Sequence, residues 1–217
     1  MPRPPRRRDR PQSPAGGLRT PPEDAASAPR IIGGELRHRR LAHQPDGRTR
    51  PMKDRVRESL FDLLGVDVRG ALAIDLFAGT GALGFEALSR GATRAVFVER
   101  HFPTADVLRL SAKGLAVEEH CEVRSGDVLL WGRRMPELPR EMHWIVFVSP
   151  PWAFFAAGNE RRAELLGLID ALRLAAPPRS TVVVEADTAF DATALPDAEA
   201  WECRPIPPAV LYLYRMA

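Results

Sequence analysis

The chain has 217 residues, 45% of them apolar, and a formal net charge of +3, which suffices for one well-packed domain with an extension. No apolar run approaches the ~20 residues that a membrane span needs, and the basic N-terminus lacks the apolar stretch of a secretory signal, so a cytoplasmic protein is expected. Cys121 and Cys203 have no CxxC or Cys/His spacing and the five histidines are scattered, which argues against a disulfide framework and against a metal site.

The charge is segregated. Residues 1–57 hold 15 Arg and Lys against 6 Asp and Glu, whereas the remaining 160 hold 16 against 22. A basic arm for a polyanion, joined to a body that is not itself basic, is the expected arrangement, although a basic tail can also simply aid solubility. Residues 1–29 contain eight prolines and few apolar side chains, too little buried surface to offset the entropy of ordering, and are expected to be disordered. Residues 30–57 follow as a basic hairpin or extended arm with turn residues at Gly33-Gly34 and Asp46-Gly47, running into the start of an amphipathic helix. In that helix Val56, Leu60, Leu63 and Leu64 share one face, with Pro51 near its first turn.

Residues 58–217 alternate strand-like and helix-like segments. Strands are expected at 71–77, 95–99, 121–126, 144–149 and 181–185, and helices at about 81–90, 103–114 and 160–175. Strands apolar on both faces and separated by helices predict a mostly parallel sheet covered on both sides. The last segment, WECRPIPPAVLYLYRM, reads as two strands joined by a Pro-rich turn, an antiparallel hairpin at the sheet edge.

Gly79-Thr80-Gly81-Ala82-Leu83-Gly84 fits G-x-G-x-x-G between a strand and a helix, where backbone N–H groups lie open to a ligand. Glu99 ends the next strand, 24 positions after Asp75, where an acid can accept hydrogen bonds from ribose hydroxyls of either NAD or S-adenosylmethionine. Asp75 stands four residues before the first glycine. A negative charge there opposes a diphosphate and attracts the ammonium group of a methionine moiety.

At the end of the fourth strand stands Ser149-Pro150-Pro151-Trp152, beside the crevice where open α/β sheets bind ligands. The prolines fix φ and supply carbonyls without N–H groups, so the turn is rigid and rich in acceptors. An exocyclic amine of a nucleobase is a poor nucleophile because its lone pair is delocalised into the ring. Ser149 Oγ and the Pro150 carbonyl can hold its N–H bonds and favour attack on a sulfonium methyl, while Trp152 can stack on the extruded base.

The segments RIIGG, RPMKDRVRESLFDLL, DLFAGTGALGFEALSRGA, FVER and the Pro-Pro-aromatic turn, in that order, resemble the bacterial methyltransferases that modify the N2 amine of a guanine in 16S ribosomal RNA. The resemblance runs from about Arg30 to the C-terminus. It implies a Rossmann-like class I methyltransferase fold with a seven-stranded sheet, and S-adenosylmethionine held by Asp75, Phe77, Ala78, Gly79, Thr80, Gly81, Glu99 and Arg100. Asp127, in SGD after the third strand, matches the position that contacts the adenine amine, and it is also placed to cap a helix. That family commonly has Asp or Asn where this chain has Ser149, and Thr where it has Met52. A Ser-Pro-Pro-aromatic turn is also similar to that of DNA cytosine-N4 methyltransferases. The implied partner is ribosomal RNA or the small ribosomal subunit, met by a monomer with no membrane and no metal. Arg37, Arg39, Arg40, Arg50 and Lys53 are the candidate phosphate contacts. Transfer to adenine N6 or cytosine N4, a nicotinamide-dependent oxidoreductase, and a non-catalytic RNA-binding assembly factor stand as alternatives.

Overall fold

The computed structural model describes residues 28–43, 52–132 and 138–217. The tail up to residue 27, the Asp46-Gly47 turn, Arg50 and Pro51 lie outside them.

Helix α1 (Asp54–Leu64) buries Val56, Leu60, Phe61 and Leu64, the stripe expected except that Phe61 is buried where Leu63 is only half-buried. Gly65, at φ 52°, stops it by turning its N–H back to the Phe61 carbonyl. The body then alternates β1 (Leu72–Asp75), α2 (Ala82–Ser89), β2 (Arg94–Glu99), α3 (Phe102–Leu115), β3 (Cys121–Ser125), α4 (Val128–Gly132), β4 (Trp144–Val148), α5 (Arg162–Ala175), β5 (Thr181–Asp187), β6 (Glu202–Ile206) and β7 (Ala209–Arg215). The short α4 and the 3-10 turn Trp152–Phe155 are additions to the expected elements. Both are too short to show helical periodicity in sequence.

The seven strands run in the order β3-β2-β1-β4-β5-β7-β6. All the pairings from β3 through β5 are parallel, and β7 is antiparallel to both β5 and β6. The C-terminal hairpin is therefore at the edge as expected, with its second strand inserted inside the first. Alternation along the central strands divides the core in two. Ala73, Phe97, Ile145 and Phe147 pack with α1, α2, α3 and the arm residues Ile31 and Leu41. Ile74, Val96, Val98 and Val146 pack with Leu165, Ile169 and Leu172 of α5 on the other face. Each Leu, Ile or Phe buried in this way contributes about 1.5–3 kcal/mol of transfer free energy.

One antiparallel bridge, Arg30 to Arg40, closes the arm into a loop. The loop is fastened by a single buried acid. Glu86 of α2, 0% exposed, accepts the Ile32 and Gly33 N–H groups at 2.7 and 2.8 Å and the Arg90 Nε–H at 2.8 Å. Arg57 Nε, also buried, lies 3.8 Å away. Leu36 and Ala42 donate their N–H groups to Ser89 Oγ and Ser111 Oγ, each at 2.9 Å, so the arm is tied to both α2 and α3. Glu86→Ala leaves two guanidinium groups and two backbone N–H groups without their acceptor, which is expected to cost about 3–5 kcal/mol. Chemical denaturation should show a matching fall in midpoint, and trypsin should cut the arm at Arg37, Arg39 and Arg40 far sooner than in the unaltered protein.

Candidate active site

The sheet order reverses at β1, whose neighbours are β2 and β4, and ligands of open α/β sheets bind beyond the carboxyl ends of the strands at such a point. Here the chain leaves β1 toward the α2 face and leaves β4 toward the α5 face, so the two loops part. Between them lies a cleft of about 500 Å³.

One wall is the glycine loop. Gly81 adopts φ 75° as the residue before α2, a conformation open to glycine at little cost. Gly84 serves a different need, since a Cβ there would stand 2.3 Å from the Phe97 ring, and without one α2 lies close on β2. Glu99, at the end of β2, holds the loop in place. Its Oε2 accepts the Gly79 N–H at 2.9 Å and its Oε1 the His101 N–H at 2.8 Å, leaving further lone pairs on both oxygens facing the cleft.

Phe77, Gly79, Glu99, Arg100, Asp127, Ser149, Pro150, Pro151, Trp152 and Lys53 all line this cleft, so most of the residues singled out in the sequence meet there. Asp75, Ala78, Thr80 and Gly81 lie behind the wall instead of on it. Asp75 is 2% exposed and accepts the Gly84 N–H at 3.2 Å. Burial pushes its carboxyl up to about 7, Glu99 adding to the rise and the Gly84 hydrogen bond opposing it. Asp127 both caps α4, accepting the Leu129 N–H at 3.0 Å, and holds Arg161 at 2.6 Å. Arg37 and Arg40 are exposed on the arm, Arg39 donates to the Gly114 carbonyl at 2.6 Å, and Arg50 is outside the described residues.

Arg161, Phe154 and Glu185 are among the cleft residues that escape sequence reasoning. Arg161 sits 5.5 Å over the ring of Phe154, two residues past Trp152, and nothing in the surrounding GNERRAELL marks Arg161 as a site residue. Glu185 is 8% exposed, and Ser149 Oγ–H donates to its Oε2. Burial raises its carboxyl above the ordinary value, and the Ser149 bond works the other way. Its sequence does carry a signal, an acid ending an apolar strand, the same pattern that singles out Glu99.

Strand order, glycine loop and the acids at the strand ends define a class I methyltransferase fold. A family profile described as "Conserved hypothetical protein 95" matches residues 29–203, and the chain belongs to that family. The ribosomal RNA small subunit methyltransferase D of Escherichia coli strain K12 is 35% identical over 135 residues, 62% of this chain and 66% of that protein. The solved structure of yhhF from Escherichia coli, 28% identical, superposes with a TM-score of 0.67 over 86% of this chain and 97% of that one. An RNA methyltransferase from Salinibacter ruber, solved in complex with S-adenosyl-L-homocysteine, shares the fold at a TM-score of 0.53 and 20% identity, covering 77% of this chain and 94% of that one. The chain spans about half to two thirds of the length of the curated relatives it matches.

The burial of Asp75 sets a pH dependence. The carboxyl stays protonated in the folded chain up to about 7 but ionises near 4 when unfolded. The unfolded state therefore binds fewer protons between those values, and stability falls as pH rises through that window, by up to about 1.4 kcal/mol per unit, then levels. Thermal melts of ligand-free protein from pH 4 to 9 should show Asp75→Asn losing this decline, with the gap between variant and parent widening up to pH 7 and constant above it.

Proposed function

We propose that the protein is an S-adenosylmethionine-dependent RNA methyltransferase acting on the N2 amine of a guanine in small-subunit ribosomal RNA. The observation that carries this reading is the rigid, acceptor-rich Ser149-Pro150-Pro151-Trp152 turn on the same cleft as the glycine loop and Glu99. The family and the small-subunit ribosomal RNA methyltransferases within it support the same reaction.

The donor set suits S-adenosylmethionine better than a dinucleotide. Acids stand at the ends of β1 and β2 and after β3, an arrangement that repels a diphosphate and favours a cation. Phe77, Gly79, Glu99, Arg100 and Asp127 would hold the cofactor, with Glu99 accepting from its ribose and Asp127 from its adenine amine, while Asp75 acts from beneath the loop. When bound, S-adenosylmethionine supplies a methyl group on a positively charged sulfur. Across the cleft, Ser149 Oγ and the Pro150 carbonyl accept the target amine's N–H groups and aim its lone pair, and Trp152 stacks on the base for about 1–3 kcal/mol. No strong general base is needed, because the amine's surplus proton becomes acidic once the new N–C bond has formed. Lys53 on the cleft wall and Arg37, Arg39 and Arg40 on the arm meet phosphates of an RNA or an assembled subunit, with Arg50 a further candidate from the sequence. The protein works as a cytoplasmic monomer without a metal.

Labelled S-adenosylmethionine incubated with the protein and small subunits from a strain lacking its gene, then digested to nucleosides, should give labelled N2-methylguanosine. Label in another amino base would keep the chemistry and discard guanine, and absence of label from protein that binds the cofactor would discard the reaction. Replacing Arg37, Arg40 and Lys53 by Glu should weaken RNA binding and flatten its salt dependence by roughly 0.7–0.9 log units for each phosphate no longer neutralised. Cofactor affinity, followed by calorimetry, should change little, and its equal loss would make the arm merely structural.

A further inference from the structure

Ser149 follows β4 directly, and β4 pairs with β5 in a register that sets Val148 against Val184. Ser149 and Glu185 are therefore the next residues along two adjacent parallel strands, at the floor of the cleft. A serine hydroxyl is ambivalent, with one hydrogen to donate and two lone pairs to accept with. A base presenting a carbonyl or ring nitrogen could take its hydrogen, and an amine could use its lone pairs. Glu185 removes that ambiguity by accepting the Ser149 hydrogen.

We infer that Glu185 is a positioning residue that converts the Ser149 hydroxyl into a dedicated acceptor, so that the turn takes an exocyclic amine and turns away bases that offer only an acceptor. The inference rests on the methyltransferase reading above. It gives a serine the polarity of a carboxylate or amide oxygen at this place in the turn. Glu185 has to be ionised to play this part. The charged and titratable groups on the same cleft are Lys53 before α1, Glu99 at the end of β2, Arg100 and His101 between β2 and α3, Asp127 before α4, and Arg161 before α5. Burial holds the Glu185 carboxyl above its ordinary value against the pull of the Ser149 bond. Methyl transfer is therefore expected to fall as pH drops through the titration of Glu185 and to be level above it.

The test compares the parent with Glu185→Gln, Ser149→Ala, Ser149→Asn and Ser149→Asn/Glu185→Gln. It uses single-turnover methylation of small subunits across pH, together with calorimetric titration of S-adenosylmethionine. Glu185→Gln should lower the single-turnover rate by about 10-fold or more, the loss of one well-placed hydrogen bond, with cofactor affinity held within about 2-fold and the low-pH decline abolished. Ser149→Asn should exceed Ser149→Ala by about 10-fold, because its amide N–H donates to Glu185 while its carbonyl oxygen accepts from the substrate. That advantage should shrink in the Glu185→Gln background. Several results overturn the inference: a Glu185→Gln protein with the parent's rate and pH profile, one that loses cofactor affinity in step with rate, or a Ser149→Asn protein no better than Ser149→Ala. A parent that binds cofactor yet methylates nothing defeats the proposed reaction and this inference with it, whereas an active parent indifferent to Glu185 defeats the inference alone.

Discussion

The loops after β1 and β4 must diverge, because the chain crosses to opposite faces of the sheet after these two neighbouring strands. The glycine loop turns toward α2, in the layer that holds Phe85 and Phe97. The Ser149 turn heads toward α5, in the layer that holds Leu165 and Ile169. Among the described residues no backbone fills the gap between them, and the cleft is the consequence. Strand alternation decides this before any catalytic residue is placed: a one-residue slip of β1 would exchange Ala73 for Ile74 between the layers and carry Asp75 to the wrong side of the loop.

Acids gather at this end of the sheet, and each meets a different environment. Asp75 is beneath the loop, bonded to the Gly84 N–H. Glu99 holds two backbone N–H groups, Asp127 caps α4 and pairs with Arg161, and Glu185 takes a serine hydroxyl. The two most buried, Asp75 and Glu185, are the two whose carboxyls rise above the ordinary range. Burial without a cationic partner is the shared cause. A positive ligand arriving among these groups supplies the charge that the protein withholds, which is why a sulfonium with an ammonium group suits the site and a diphosphate does not.

Most of this is readable in the sequence wherever one residue type has one physical use. The both-face apolar runs AIDL and WIVFV fit only central parallel strands, and Gly81 and Gly84 mark a left-handed turn and a close helix–strand approach that no other residue serves as well. Asp75 is legible as an acid at the loop, but not as a buried one, because depth depends on how α2 settles over β2. Glu185 escapes notice although TVVVE ends like AVFVE. The pattern identifies an acid at the carboxyl end of a strand, and only the pairing of β4 with β5 brings that acid to Ser149. Arg161 carries no signal at all, being one of two adjacent arginines in a charged stretch. The arm reads as a basic hairpin, whereas its hold on the body comes from Glu86, an acid within a helix whose partners are backbone N–H groups 53 and 54 residues away.

That hold keeps the basic arm apart from the acids at the strand ends. Opposite charges on flexible segments would collapse onto one another, and an arm free to fold over the strand ends would neutralise the acids at the cleft. Glu86, Ser89 and Ser111 instead bind the arm through its backbone, leaving Arg37 and Arg40 exposed. The helices that hold it, α2 and α3, follow directly on Gly81 and His101, beside the glycine loop and the Glu99 corner. The positive charge is thus placed by the same two helices whose first turns shape the site. Satisfying backbone N–H groups with buried side chains fixes the arm's position without drawing on Arg37 or Arg40, and those two charges stay available for a polyanion.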